Sequence, residues 1–120
     1  MARNQRLPEF DIHSGGARVD DALAQLDRIV SASRGGGPSV FAVVTGYGSS
    51  GGTAMIKSAV MAACRRYLGQ RHIAGFLDGE YAGDFFSVQY QAFPAADRIP
   101  VSYKRSPNPG LVFICTGSGR

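Results

Sequence analysis

Asp11 and His13 stand two residues apart in Glu9-Phe10-Asp11-Ile12-His13, a stretch in which polar and apolar residues alternate. In a strand that spacing puts Asp11 and His13 on one face and Phe10 and Ile12 on the other. A carboxylate beside an imidazole is a proton-transfer pair, because histidine exchanges a proton near neutral pH and the aspartate can fix its ring. The plainer alternative is an aspartate that ties down the next loop and a histidine that only packs. A second cluster is Gly46-Tyr47-Gly48-Ser49-Ser50-Gly51-Gly52. Glycines there can take positive φ and bring backbone N–H groups close to a ligand, and a helix starting near Thr53 would add its own unpaired N–H groups and dipole. Such a loop suits phosphate, with Thr45, Gly46, Tyr47, Gly48, Ser50 and Gly51 around it. Lys57, about one turn into the helix, adds a point charge.

The glycine loop matches three other patterns in part. Gly46-x-Gly48-x-x-Gly51 fits the dinucleotide fingerprint, but the acid expected about 20 residues on is missing and Asp78 lies too far along. Gly48-x-Ser50-x-Gly52 fits a hydrolase nucleophile elbow, yet that triad runs acid before histidine and here His72 precedes Asp78. A P-loop would need Gly-Lys-Ser/Thr after its spacer, which is absent. A turn that serves only tight packing of strand against helix stays open beside the phosphate reading.

The elements that must position these groups follow from periodicity. Residues 9–13 make a short strand ended by Ser14-Gly15-Gly16. Val19, Leu23, Leu26 and Val30 recur at helical spacing over Arg18 to Ser33, with Asp20 and Asp21 at the end where the helix dipole favours acids. Val40 to Val44 is continuously apolar and predicts a strand buried on both faces. A second amphipathic helix carries Ile56, Val60, Ala63 and Tyr67, and Ile73 to Leu77 is the next strand. Strand, helix, strand, helix, strand predicts right-handed crossovers. Residues 84–93 alternate and predict a half-exposed strand, the following stretch to Pro109 reads as loop, and Leu111 to Cys115 is a buried strand.

The 120 residues fit one domain, and 44% hydrophobic content is enough for a core. No segment is apolar enough to span a bilayer or to act as a signal core, so we expect a cytoplasmic protein with no membrane partner. Cys64 and Cys115 have no metal-like spacing and predict core thiols. The net charge of +4, carried mostly by arginine, permits a phosphate-bearing partner. Residues 1–8 are expected to form a flexible basic arm.

Taken together the motifs resemble the Smr domain, the small MutS-related module. Phe10-Asp11-Ile12-His13-Ser14 is similar to the family's opening Leu-Asp-Leu-His-Gly, and Thr45-Gly46-Tyr47-Gly48 to its Thr-Gly-x-Gly variant of His-Gly-x-Gly. Gly52-Thr53-Ala54-Met55-Ile56-Lys57 resembles Gly-x-x-x-Leu-Lys, Val19 to Leu23 looks like the first helix, and Asn108-Pro109-Gly110 precedes the closing strand. The resemblance covers about residues 8 to 78 and returns at 106 to 116. It implies an α/β two-layer sandwich of βαβαββ type, with a mixed four- to five-stranded sheet and two helices over residues 9–120. It also implies binding of DNA or RNA and, in many members, nicking of it by phosphodiester hydrolysis, an endonuclease activity. The expected roles are His13 as general base or acid, Asp11 orienting it, and the loop with Lys57 holding phosphate. No dedicated metal site is evident, although one carboxylate with substrate oxygens can hold Mg²⁺ or Mn²⁺. Ser14 in place of glycine and Thr45 in place of histidine depart from the commonest pattern; a hydroxyl is no proton shuttle near pH 7. Residues 84–105 are expected to form an inserted strand and loop. A non-catalytic nucleic-acid-binding module, with Tyr47 as a stacking surface, and a protein-interaction module are the alternatives.

Overall fold

The computed structural model describes residues 7–12, 18–46 and 51–116, with backbone alone at 51–54. The chain runs β1 (Glu9–Asp11), α1 (Val19–Arg34), β2 (Val40–Val44), α2 (Gly51–Gly69), β3 (Gly75–Asp78), α3 (Val88–Ala92), α4 (Val101–Arg105) and β4 (Leu111–Cys115). Short 3₁₀ turns at Gly79–Tyr81 and Ala96–Arg98 complete it. The sheet order is β1-β2-β4-β3. β1 pairs parallel to β2, and β4 pairs antiparallel to both β2 and β3. The first three strands therefore point one way, and their C-terminal ends lie along one edge of the sheet.

The apolar runs of β2 and β4 are explained by burial on both faces, with side chains sorted by the two-residue period. Phe41, Val43, Val112 and Ile114 pack under α1 and α2, with Ile12, Leu26, Val30, Ile56, Val60 and Tyr67. Val40, Ala42, Leu77, Leu111, Phe113 and Cys115 face the other way and meet Ala82, Phe93, Ala95, Ile99 and Tyr103. α1 begins with Asp20 and Asp21 in its first turn and stops at Gly35. Gly36 follows at φ +119°, a conformation that glycine adopts without strain. Tyr67 Oη donates to Asp27 Oδ1 at 3.1 Å and ties α2 to α1.

The expected two-layer sandwich is present in α1, α2 and a mixed four-stranded sheet. The strand expected at residues 84–93 is not there. Ser87 N donates to Asp84 O, and Ser87 Oγ accepts from Tyr90 N at 3.0 Å, so the segment turns and starts a helix. Its alternation is not the signature of one buried face: Phe86 and Val88 are 89% and 83% exposed. The expected insertion is thus two short helices and turns that cover the second face of the sheet, adding α3 and α4 to the two helices foreseen. Tyr103, from that cover, donates to Glu9 Oε2 at 2.5 Å across to β1. Among the described residues no helix is long and apolar enough to cross a membrane.

Candidate functional site

The parallel pairing brings Asp11 and the Thr45-Gly46 step that follows β2 to one edge. Asp11 sits opposite Val44, and Ile12 N donates to Val44 O at 3.1 Å. Ile12 is fully buried and Asp11 is exposed, as the alternation required. Asp11 borders a groove of about 460 Å³ between β1 and α1, together with Gln25, Arg28 and Phe10. His13 lies outside the described residues, as do Tyr47, Gly48 and Ser50. Gly51 is the first residue of α2. Gly46 closes β2 at φ +76°, in the left-handed region that a glycine occupies cheaply.

Thr45 is completely buried. Its N–H donates to Gly110 O at 2.8 Å, and its hydroxyl donates to the same oxygen at 3.2 Å. Gly110 is in turn held by Asn108, whose Oδ1 accepts from Gly110 N at 2.7 Å. The threonine side chain therefore faces the protein and fixes the base of the loop, and what it offers to the site is backbone. Position 45, where much of the resembled family has histidine, is a wall of the site.

Lys57 is on α2 at the same edge, and Nζ lies 2.9 Å from Asp78 Oδ1, with the two side chains 18% and 12% exposed. Asp78 ends β3, and Oδ1 also accepts from Glu80 N at 3.0 Å, capping the 3₁₀ turn. The cation is thus a member of an ion pair that spans α2 and β3. Gly79 follows because nothing larger fits: a Cβ there would stand 2.3 Å from Asn108 O and 2.7 Å from Leu111 O. One turn, Asn108-Pro109-Gly110, therefore braces both the glycine loop at Thr45 and the end of β3 at Gly79.

Asp78 was missed in the sequence as a site residue. The signal was an aspartate ending an apolar strand just before Gly-Glu, a capping arrangement. Among the described residues no group of three or more His, Cys, Asp or Glu side chains converges as metal ligands would. Cys64 and Cys115 are buried thiols outside any disulfide, and burial pushes the Cys64 thiol up to about 12, which makes it a poor nucleophile. Tyr67 is also pushed up to about 12, first by burial and then by its bond to Asp27.

No protein-family model, curated protein or solved structure matches the chain. The likeness to Smr domains accordingly rests on the sequence motifs.

Proposed function

We propose that this chain is a nucleic-acid-binding domain of Smr type that cleaves the phosphodiester backbone. The observation that carries the reading is the side-by-side placement of Asp11 and the Thr45-Gly46 turn at the C-terminal ends of adjacent parallel strands. Open α/β sheets hold their ligands at that edge. In this reading a backbone phosphate sits on the N–H groups of the glycine loop and the first turn of α2. His13 serves as general base, taking a proton from the attacking water, or as general acid, giving one to the leaving oxygen, and Asp11 orients its ring. Lys57 contributes a charge already held in place by Asp78, so its position is set before substrate arrives.

The test is a nicking assay on supercoiled DNA and on structured RNA, with and without Mg²⁺ or Mn²⁺, comparing wild type with Asp11→Ala and His13→Ala. Loss of cleavage in both variants supports the mechanism; equal activity in all three sinks it. A second reading, binding without cleavage, is favoured by Thr45, whose buried hydroxyl bonds to Gly110 and cannot act on a substrate. Under that reading affinity falls steeply with salt while no strand is cut under any metal.

A further inference from the structure

The sheet has two edge strands, β1 and β3, and they differ in character. β1 is preceded by Pro8 and carries exposed Glu9 and Asp11; proline and charge are devices that keep an edge from pairing with another chain. β3 reads Gly75-Phe76-Leu77-Asp78, and its one charge is taken up by Lys57. The register of the sheet decides which backbone groups β3 leaves at its edge. Thr45 N donates to Gly110 O, and Thr116 N to Ser39 O, so the even-numbered residues along β4 bond to β2. The odd-numbered ones turn to β3, where Phe113 and Cys115 lie opposite Leu77 and Gly75. Phe76, between those two, therefore points its N–H and C=O away from the sheet, and among the described residues no turn or loop backbone bonds to either.

A groove of about 380 Å³ runs along this edge between α2 and α3. Met61 and Leu68 wall it on α2, Val88 and Ala92 on α3, and the half-buried ring of Phe76 lies between them. Leu68 and Val88 are 42% and 83% exposed. Apolar side chains exposed around outward-facing strand backbone mark a contact that takes an extended strand. Arg65 is the one charged residue among the described lining, beside Ala74 and Gly75 at the start of β3. At the other end stands exposed Glu80, whose N–H donates to Asp78 Oδ1 at 3.0 Å.

We infer that β3 pairs antiparallel with β3 of a second copy of this chain, centred on Phe76, and forms a symmetric dimer with one continuous sheet. Phe76 faces Phe76 across the axis, and the two exchange N–H···O bonds as a hydrogen-bonded pair. Antiparallel pairing lays the start of one β3 against the end of the other, so Arg65 of each copy comes to Glu80 of its mate. The interface makes that match at both ends because it is isologous. The layers fit as well. α1 and α2 cover one face of the four strands, and two helices about 8–10 Å apart are about as wide as four strands about 4.8 Å apart. A second copy therefore continues both layers, and Met61 and Leu68 of the two α2 helices face each other over the join. A strand from another protein would bond to Phe76 equally well; the cation at one end of β3 and the acid at the other are what select a second copy.

The test is sedimentation equilibrium of the full chain over about 1 μM to 1 mM, the range in which weak contacts dissociate, with hydrogen exchange at Phe76 N–H read by NMR at both ends of that range. The expected result is a monomer–dimer equilibrium in which Phe76 N–H exchanges more slowly as dimer accumulates. Leu68→Glu and Val88→Glu change exposed positions, and thermal melts check that each variant folds. Each should weaken the dimer at least about tenfold, because the new carboxylate would be buried in the join. Arg65→Glu and Glu80→Arg should each weaken it about fivefold, and the double variant should restore it. A monomer at every concentration overturns the inference and leaves the edge to a strand of another protein. A dimer in which Phe76 N–H exchange does not change, or which Leu68→Glu and Val88→Glu leave intact, uses another surface and also overturns it. A double variant no tighter than the two single ones overturns the antiparallel pairing.

Discussion

Replacing Thr45 tests whether position 45 is a wall of the site or a member of its chemistry. Thr45→Val removes the 3.2 Å hydroxyl bond to Gly110 O, but the oxygen keeps the 2.8 Å bond from the backbone N–H and is not orphaned. The lost bond costs about 0.5–1.5 kcal/mol, and the methyl that replaces the hydroxyl recovers about 0.8 kcal/mol in a fully buried place. The net change is within about 1 kcal/mol. Thr45→Ala loses the bond and also leaves a gap the size of a methyl group, for a total of about 1–3 kcal/mol. Thr45→His puts an imidazole where no space is exposed, adding overpacking and a buried polar nitrogen, about 2–5 kcal/mol together. Domains carry about 5–15 kcal/mol in all, so this variant is weakened and gains no nicking activity. Urea unfolding followed by far-UV circular dichroism measures the three, and the nicking assay is run on each folded variant. A Thr45→His protein as stable as wild type and more active would refute the reasoning, because the side chain would then have to open into the site. A Thr45→Val loss above about 2.5 kcal/mol would refute the bookkeeping on the hydroxyl.

Three further outcomes follow from the same edge and core. Lys57→Met leaves Asp78 without its cation; at this partial burial the loss falls between that of exposed and buried pairs, about 1–3 kcal/mol, and the Lys57→Met/Asp78→Asn double variant regains part of it in a denaturant cycle. Nucleic-acid affinity of Lys57→Met should also show a salt slope flatter by about 0.7–0.9, and an unchanged slope would remove Lys57 from the phosphate site. Gly79→Ala forces a Cβ against two backbone oxygens, so β4 and its turn must shift, and stability falls by about 3–5 kcal/mol in urea unfolding. Cys64 stays unreactive to a thiol reagent in the native protein and reacts on unfolding. Its folded pKa is raised, so its contribution is fully present below the unfolded value of about 8.5 and is lost as pH rises from there to about 12; an alkaline titration of stability should slope downward over that window.

The parts of the fold that were legible in the sequence were those whose pattern has one cause. Val40 to Val44 and Leu111 to Cys115 are apolar without interruption because both faces are covered, and they form β2 and β4 over those same residues. Leu26 and Val30, and Ile56, Val60, Ala63 and Tyr67, are buried where helical periodicity placed them. Residues 84–93 misled because two unrelated causes gave one alternation: Phe86 and Val88 are exposed, whereas Tyr90 is drawn in by its ring and cation contacts. Ser87 was the overlooked signal, a helix cap three residues before the N–H it accepts from. In the candidate site, Asp11 and Gly46 could be joined from sequence because β1 and β2 are parallel neighbours. The pairing of Lys57 with Asp78 could not, since it depends on where β3 ends relative to the second turn of α2, a packing detail with no periodic trace.

The order of assembly has a consequence for the site. β4 comes late in the sequence yet lies between β2 and β3, so the sheet is complete only after a long-range pairing has formed, the kind of contact that is slow to close. The base of the glycine loop depends on that event, because Thr45 bonds to Gly110 and Gly110 takes its place only when residues 108–112 have docked. Asp78 depends on it as well, through the contact of Gly79 with Asn108 and Leu111. Asp11 lies on β1, whose backbone pairs with β2. A phosphate bound at the loop therefore stabilises β4 as much as it stabilises β2, since binding favours the state in which the Asn108-Pro109-Gly110 brace is closed. Hydrogen exchange would register this as added protection at Thr45 N–H and along β4 together; protection confined to the loop would mean that the brace and the site are energetically separate.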